Sequence, residues 1–161
     1  MGRQLLLIAI PFFAATAPSA AGIVDRAEKT DLRDSDGKPV SRVQRDSDGK
    51  VTELVLSNME LKPEEVAELE GLQKLRRLTL YRTNVGDDGL KHLAKCPTIE
   101  ALNLTSTNVS DDAIPVLLEF KSLKYLCLGD VRISPESVQA LKDRFRSRGQ
   151  QVRLGYSQRR P

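Results

Sequence analysis

The stretch "LRRLTLYRTNVGDDGLKHLAKCPTIEALNLTSTNVSDDAI", residues 75–114, writes one motif twice. Leu78 and Leu80 bracket Thr79, and 24 residues on Leu102 and Leu104 bracket Asn103. Working outward, the pair recurs upstream as Leu54/Leu56 and downstream as Leu126/Leu128, at the same step. A second apolar set keeps this register: Val66, Leu69, Leu72 and Leu75 match Leu90, Leu93, Cys96 and Ile99, then Ile114, Leu117, Phe120 and Leu123. Alternation of period two predicts a short strand, and the three-residue spacing behind it predicts a one-sided helix. A strand and helix of this size cannot bury their apolar faces alone, so a fixed step predicts stacked copies sharing one core.

The phrases "LRRLTL" and "LNL", each followed by a polar turn and a helix, resemble the leucine-rich repeat pattern. "TNVGDDGL", "TNVSDDAI" and Cys96-Pro97 resemble its bacterial secreted and cysteine-containing type. The resemblance implies an α/β solenoid: a short horseshoe arc with parallel strands on the concave face and helices on the convex face. It covers residues 51–155 as about four 24-residue units plus a C-terminal cap strand. Where the family usually carries a ladder-forming Asn, this chain has Met59, Thr83, Thr107 and Val131. Only the threonines can replace part of that hydrogen bonding, which predicts turns less firmly tied. Ser134-Pro135-Glu136 and Lys62-Pro63-Glu64-Glu65 carry helix-start signals. Pro115 lies past Ser110, which predicts a late start or a kink in that helix.

The 161 residues, 40% apolar and 29% charged, suit one compact domain. Residues 1–21 combine Arg3, an apolar run and small residues around Ser19 to Ala21, the pattern of a signal peptide. The run is too short, and Pro11 too central, for a membrane span, so no transmembrane anchor is expected after cleavage. Secretion, or release to the periplasm or cell envelope, follows. Net charge is +3, with Lys142, Arg144, Arg146, Arg148, Arg153, Arg159 and Arg160 gathered at one end. Residues 156–161 read as a basic disordered tail.

Residues 22–50 read as an N-terminal cap or hairpin region. They carry "DSDGK" twice, at 34–38 and 46–50. A helix-loop-helix calcium site needs oxygen ligands at loop positions one and twelve and Gly at six. Gly37 at six puts Leu32 at one, and Gly49 at six puts Gln44 at one and Val55 at twelve. Asp48-Gly49 is instead a hairpin turn between "VSRVQR" and "KVTELVL". "DSDGKVTELVLSN" also resembles the end of the amino-terminal cap of plant-type leucine-rich repeats, without its paired cysteines and Trp. Such a hairpin can shield the first repeat's edge.

Signals for catalysis are missing. The one histidine, His92, sits on a helix between core positions and is expected to point outward, while Cys127 lies on a strand. The two cannot form a nucleophile-base pair. No metal-ligand spacing, phosphate loop or aromatic-basic interleave occurs, so no catalytic residue, metal, cofactor or nucleic-acid partner is expected. Register makes Cys96 a core filler and turns Cys127 outward, so the cysteines should not pair.

Alternation sends Arg77, Thr79, Tyr81, Asn103, Thr105, Tyr125 and Cys127 to the concave face. Tyr and Arg are the commonest interface anchors, so these are the candidate protein-binding residues, with an unidentified protein or peptide as partner. The alternative is adhesion to envelope polysaccharide through the basic C-terminal end. The leader makes a checkable prediction: N-terminal sequencing of the mature protein should begin near Ala21 or Gly22 in a fraction outside the cytoplasm, and recovery of Met1 from cytoplasm would remove the export expectation.

Overall fold

The computed structural model describes residues 21–29 and 40–158. All of the expected leader except Ala21, that is residues 1–20, together with the first "DSDGK" and residues 159–161, lies outside the described residues. In chain order the elements are α1 (Ala21–Lys29), β1 (Ser41–Arg45), β2 (Val51–Leu56), α2 (Pro63–Glu68), β3 (Arg77–Thr79) and α3 (Asp87–Leu93). There follow β4 (Ala101–Asn103), α4 (Ile114–Leu117), β5 (Tyr125–Val131), α5 (Pro135–Ser147) and β6 (Arg153–Gln158). The six strands form one sheet in sequence order, with β1 antiparallel to β2 and every later pair parallel.

The leucines of the repeat make the core. Leu54, Leu78, Leu102 and Leu126 stand in one row, between 0% and 2% exposed, and Leu56, Leu80, Leu104 and Leu128 in the next at 0%. Helices cover them with Val66, Leu69, Leu90, Leu93 and Leu117, and Cys96 and Phe120 fill the gaps below. Each fully buried Leu contributes about 1.5–3 kcal/mol relative to exposure, so the rows dominate stability.

After each strand the chain must turn toward its helix, and it does so through one left-handed residue per repeat: Asn58, Arg82, Ser106 and Asp130, with φ from 52° to 56°. Only Asn58 and Asp130 are residue types that favour this region. The next residue is buried in every repeat. Thr83 and Thr107 donate their hydroxyls to Leu80 O and Leu104 O, three residues back within the same repeat. These two bonds stay within a single repeat.

Other side chains tie one repeat to the next. Asn84 accepts from Leu61 N at 2.8 Å and donates to Leu61 O at 3.0 Å. Asp87 takes Ser110 N at 2.8 Å and the Ser110 hydroxyl at 2.6 Å, and Asp111 takes Ser134 N at 2.8 Å. The expectation of looser turns is corrected on this point, because Asn84, Asp87 and Asp111, one to four residues past the threonines, do the cross-linking. The Ser134 amide holds the Asp111 carboxyl below its ordinary range, so this tie is complete at neutral pH and is lost only as pH falls through the lowered value. Pro115 does delay its helix: a 3₁₀ turn at Asp111–Ala113 precedes α4, which is four residues long.

At the amino-terminal end α1 closes the core, an element the sequence reading did not anticipate. Ile23, Val24 and Ala27 are buried in it, and Ile23 N donates to Glu68 Oε2 at 3.0 Å. Arg26 pairs with Glu65 at 2.6 Å, and the Ser41 hydroxyl donates to Ala27 O. Beside it β1 and β2 form a hairpin in which Asp46 Oδ1 accepts from Asp48 N and Lys50 N, with Gly49 at φ 74°. The two backbone amides thus hold the Asp46 side chain within the turn.

The carboxy-terminal end departs from the expected disordered tail at 156–161. The 13-residue α5 is longer than the earlier helices, so Leu126 pairs with Leu154 and Leu128 with Tyr156, and β6 continues to Gln158. Tyr156 donates its hydroxyl to Ile133 O at 2.8 Å.

Leu102→Ala should lower unfolding free energy by about 2–5 kcal/mol, the range for truncating a buried Leu, measured by urea or thermal unfolding. Asp48→Asn should change little, and added calcium should leave the melting temperature of either protein where it was.

Candidate binding surface

Strand register converts the sequence positions into rows on the exposed sheet face. Glu53, Arg77, Ala101, Tyr125 and Arg153 are partners across β2 to β6. Val55, Thr79, Asn103, Cys127 and Gly155 form the next row. Thr105 flanks Gly129, whose added Cβ would meet Thr105 Cγ2 at 3.0 Å, and Tyr81 precedes Thr105 by one repeat. All seven candidate residues thus share one face. None is buried, whereas the leucines between them are.

The chemistry along the first row is uneven. Glu53, near the amino-terminal edge, is held by Arg42 and at 3.4 Å by Arg77, which leaves Arg77 largely exposed. Ala101 then makes a gap, and Tyr125 beyond it is 49% exposed, the only large hydrophobic side chain so exposed among the described residues. The Arg153 guanidinium lies 5.8 Å from the Tyr125 ring centre and that of Arg82 lies 5.1 Å from Tyr81. Such contacts between a guanidinium and a ring contribute a modest energetic gain. Asn103 Oδ1 accepts from Thr105 N at 2.9 Å, so its amide NH2 is the end available to a partner. Arg42 and Arg153 were not among the expected face residues; Arg153 was assigned to the basic end, and only the longer α5 places it in register with Tyr125.

At the strand starts, Glu100 accepts from Arg76 at 2.7 Å and Lys124 at 2.9 Å, and Lys124 first, then Arg76, keeps its carboxyl below the ordinary range. A polar hollow of about 190 Å³ lies there between Glu53, Arg77 and Glu100. On the helix side, His92 Nδ1 sits 2.5 Å from Glu70 Oε1, which Lys95 also contacts. His92 is therefore half-buried against the preceding repeat rather than pointing outward. Cys96 donates to Leu69 O, and burial pushes its thiol up to about 11, while Cys127 is exposed on the strand face. Among the described residues no cluster of His, Cys, Asp or Glu could hold a metal ion, and no helix is long and apolar enough to cross a membrane.

No protein-family model and no curated protein matches the chain. Among solved structures it is similar to "Leiomodin-1 Actin-Binding Site 2 (ABS2)", with 18% identity, a TM-score of 0.52, and coverage of 66% of this chain and 70% of that one. The fold is a leucine-rich repeat solenoid. "Crystal structure of PEPR1-AtPEP1" is also found, with 17% identity and a TM-score of 0.42; the match covers 72% of this chain and spans 20% of that one. At these identities the likeness concerns the fold, and the bacterial secreted subtype suggested by the sequence motifs finds no support in it.

The two thiols give a test of the sidedness. At neutral pH one thiol, Cys127, should react quickly with an aromatic disulfide reagent, and Cys96 only on unfolding; two fast thiols in the native protein would contradict the register that buries Cys96.

Proposed function

We propose that the chain is an exported protein-interaction module that holds a protein or peptide on its concave strand face. The observation that carries this is the exposed Tyr125, set between Arg77 and Arg153 on a rigid sheet, with Tyr81 on the same face. A large ring standing in water on an ordered scaffold loses little conformational entropy when covered, and Tyr and Arg are the side chains that most often dominate binding energy. The Thr, Asn and small residues between them supply hydrogen bonds and room. The leiomodin neighbour is titled an actin-binding site, an instance of this fold serving protein recognition. Export rests on the apolar leader with its small-residue border, and secretion or a place in the periplasm or envelope is the matching location.

A second reading, adhesion to anionic envelope polysaccharide, draws on Lys142, Arg144 and Arg146, all exposed on α5. It differs in salt response, because charge-driven attachment weakens steeply as salt screens it, whereas a Tyr-centred patch does not.

Replacing Tyr81 and Tyr125 together with Ala should leave the melting transition almost unchanged while weakening capture of the envelope partner by at least about 2 kcal/mol. Removing residues 159–161 should matter much less. Normal capture by the double variant, with release on tail removal or at moderate salt, would reverse the assignment in favour of the basic end.

A further inference from the structure

The two ends of the solenoid are finished differently. At the amino-terminal end α1 and the β1–β2 hairpin cover the core. At the other end β6 is the last strand of the sheet, and its inward residues Leu154 and Tyr156 are half-exposed, although their register partners Leu126 and Leu128 are both 0% exposed.

The backbone is open on the same side. Leu80 N and Leu104 N donate forward to Asn103 O and Cys127 O of the following strand, while Arg153 N donates back to Lys124 O. By that alternation the amides of Leu154 and Tyr156 face the side on which no strand lies among the described residues. A groove of about 310 Å³ runs beneath, with Phe145, Val152 and Leu154 as its apolar lining and Lys142 and Arg146 on its rim. Lys142, Arg144, Arg146, Arg148 and Arg153 gather at this end, and Asp143 is the one acid from Lys142 through Gln158.

We propose that this end is a docking site for an extended acidic segment of a partner protein, which adds as a seventh strand on β6. An edge strand gives affinity through main-chain hydrogen bonds, and alternate side chains give specificity. Here the segment's amides and carbonyls pair with those of Leu154 and Tyr156. Its inward side chains fill the groove over Phe145 and Val152, and its carboxylates meet Lys142, Arg146 and Arg153. The cationic rim selects an acidic occupant and opposes a second copy of this chain, whose corresponding end carries the same excess of positive charge. Arg153 borders both this site and the strand face around Tyr125, but Lys142 and Arg146 stand on α5 away from that face, so the charge reversal here and the tyrosine replacements there can fail independently.

The test uses the whole protein with a ten-residue synthetic peptide alternating Val and Glu. Its controls are a Val–Lys counterpart and a Val–Glu peptide N-methylated at alternate residues to block strand pairing. The Val–Glu peptide should bind at least tenfold more tightly than either control and should slow amide exchange at Leu154 and Tyr156. Lys142→Glu with Arg146→Glu, both on the exposed surface, should weaken it at least tenfold without shifting the melting transition. Equal binding of the Val–Lys or N-methylated peptide, binding indifferent to the double charge reversal, or unchanged exchange at those two amides would overturn the proposal. So would a free protein that sediments as a dimer with both amides already protected, since a second copy would then be the occupant.

Discussion

The structure depends on the burial of one pair of leucines per repeat. Leu54 and Leu56, and their equivalents 24 residues on, are sealed between sheet and helices, and because their partners across the sheet are again leucines, each copy holds its neighbour in register. A shift of one residue would turn every one of these side chains to the wet face. The penalty rises with the number of strands, so the step is rigid in the middle of the array. It relaxes only at β6, where Tyr156 replaces the second leucine and a longer helix takes up extra residues.

Sidedness follows from the same constraint. Once the leucines face inward, Arg77, Thr79, Tyr81, Asn103, Thr105, Tyr125 and Cys127 must face outward, in rows whose spacing is that of the sheet. These side chains contribute little to the core and are free to be chosen for recognition. The ties between repeats lie elsewhere, in Asn84, Asp87 and Asp111 at the turn edge, so neither the core nor the cross-linking competes with the exposed face for residues.

Most of the array was legible because its signal is periodic: Leu-x-Leu at a constant step specifies strand, face and neighbour together. Part of what was not legible lacked a copy to compare with. Helix α1 occurs once, and Ile23, Val24 and Ala27 adjoin an apolar leader whose composition masks their core role. The placement of Arg153 beside Tyr125 depends on how many residues α5 takes up, a tertiary outcome that the 24-residue step misstates. The turn ties were not legible because they come from Asn84, Asp87 and Asp111, one to four residues past the position that usually carries the ladder Asn. His92 was placed outward by its helix position alone, and its partner Glu70 belongs to the preceding repeat. For the binding face, register identifies which side chains are exposed together, and it contains nothing that specifies the partner's shape.

Cys127 offers the most direct measurement of the central claim, since it lies in the middle of the strand face and is the exposed thiol of the native chain. A short photo-crosslinker attached there should join the protein covalently to its captured partner, whereas the same reagent on a Cys127→Ser, Lys91→Cys variant, which carries it on helix α3, should not. Efficient crosslinking from position 91 with none from Cys127 would contradict the assignment of binding to the strand face.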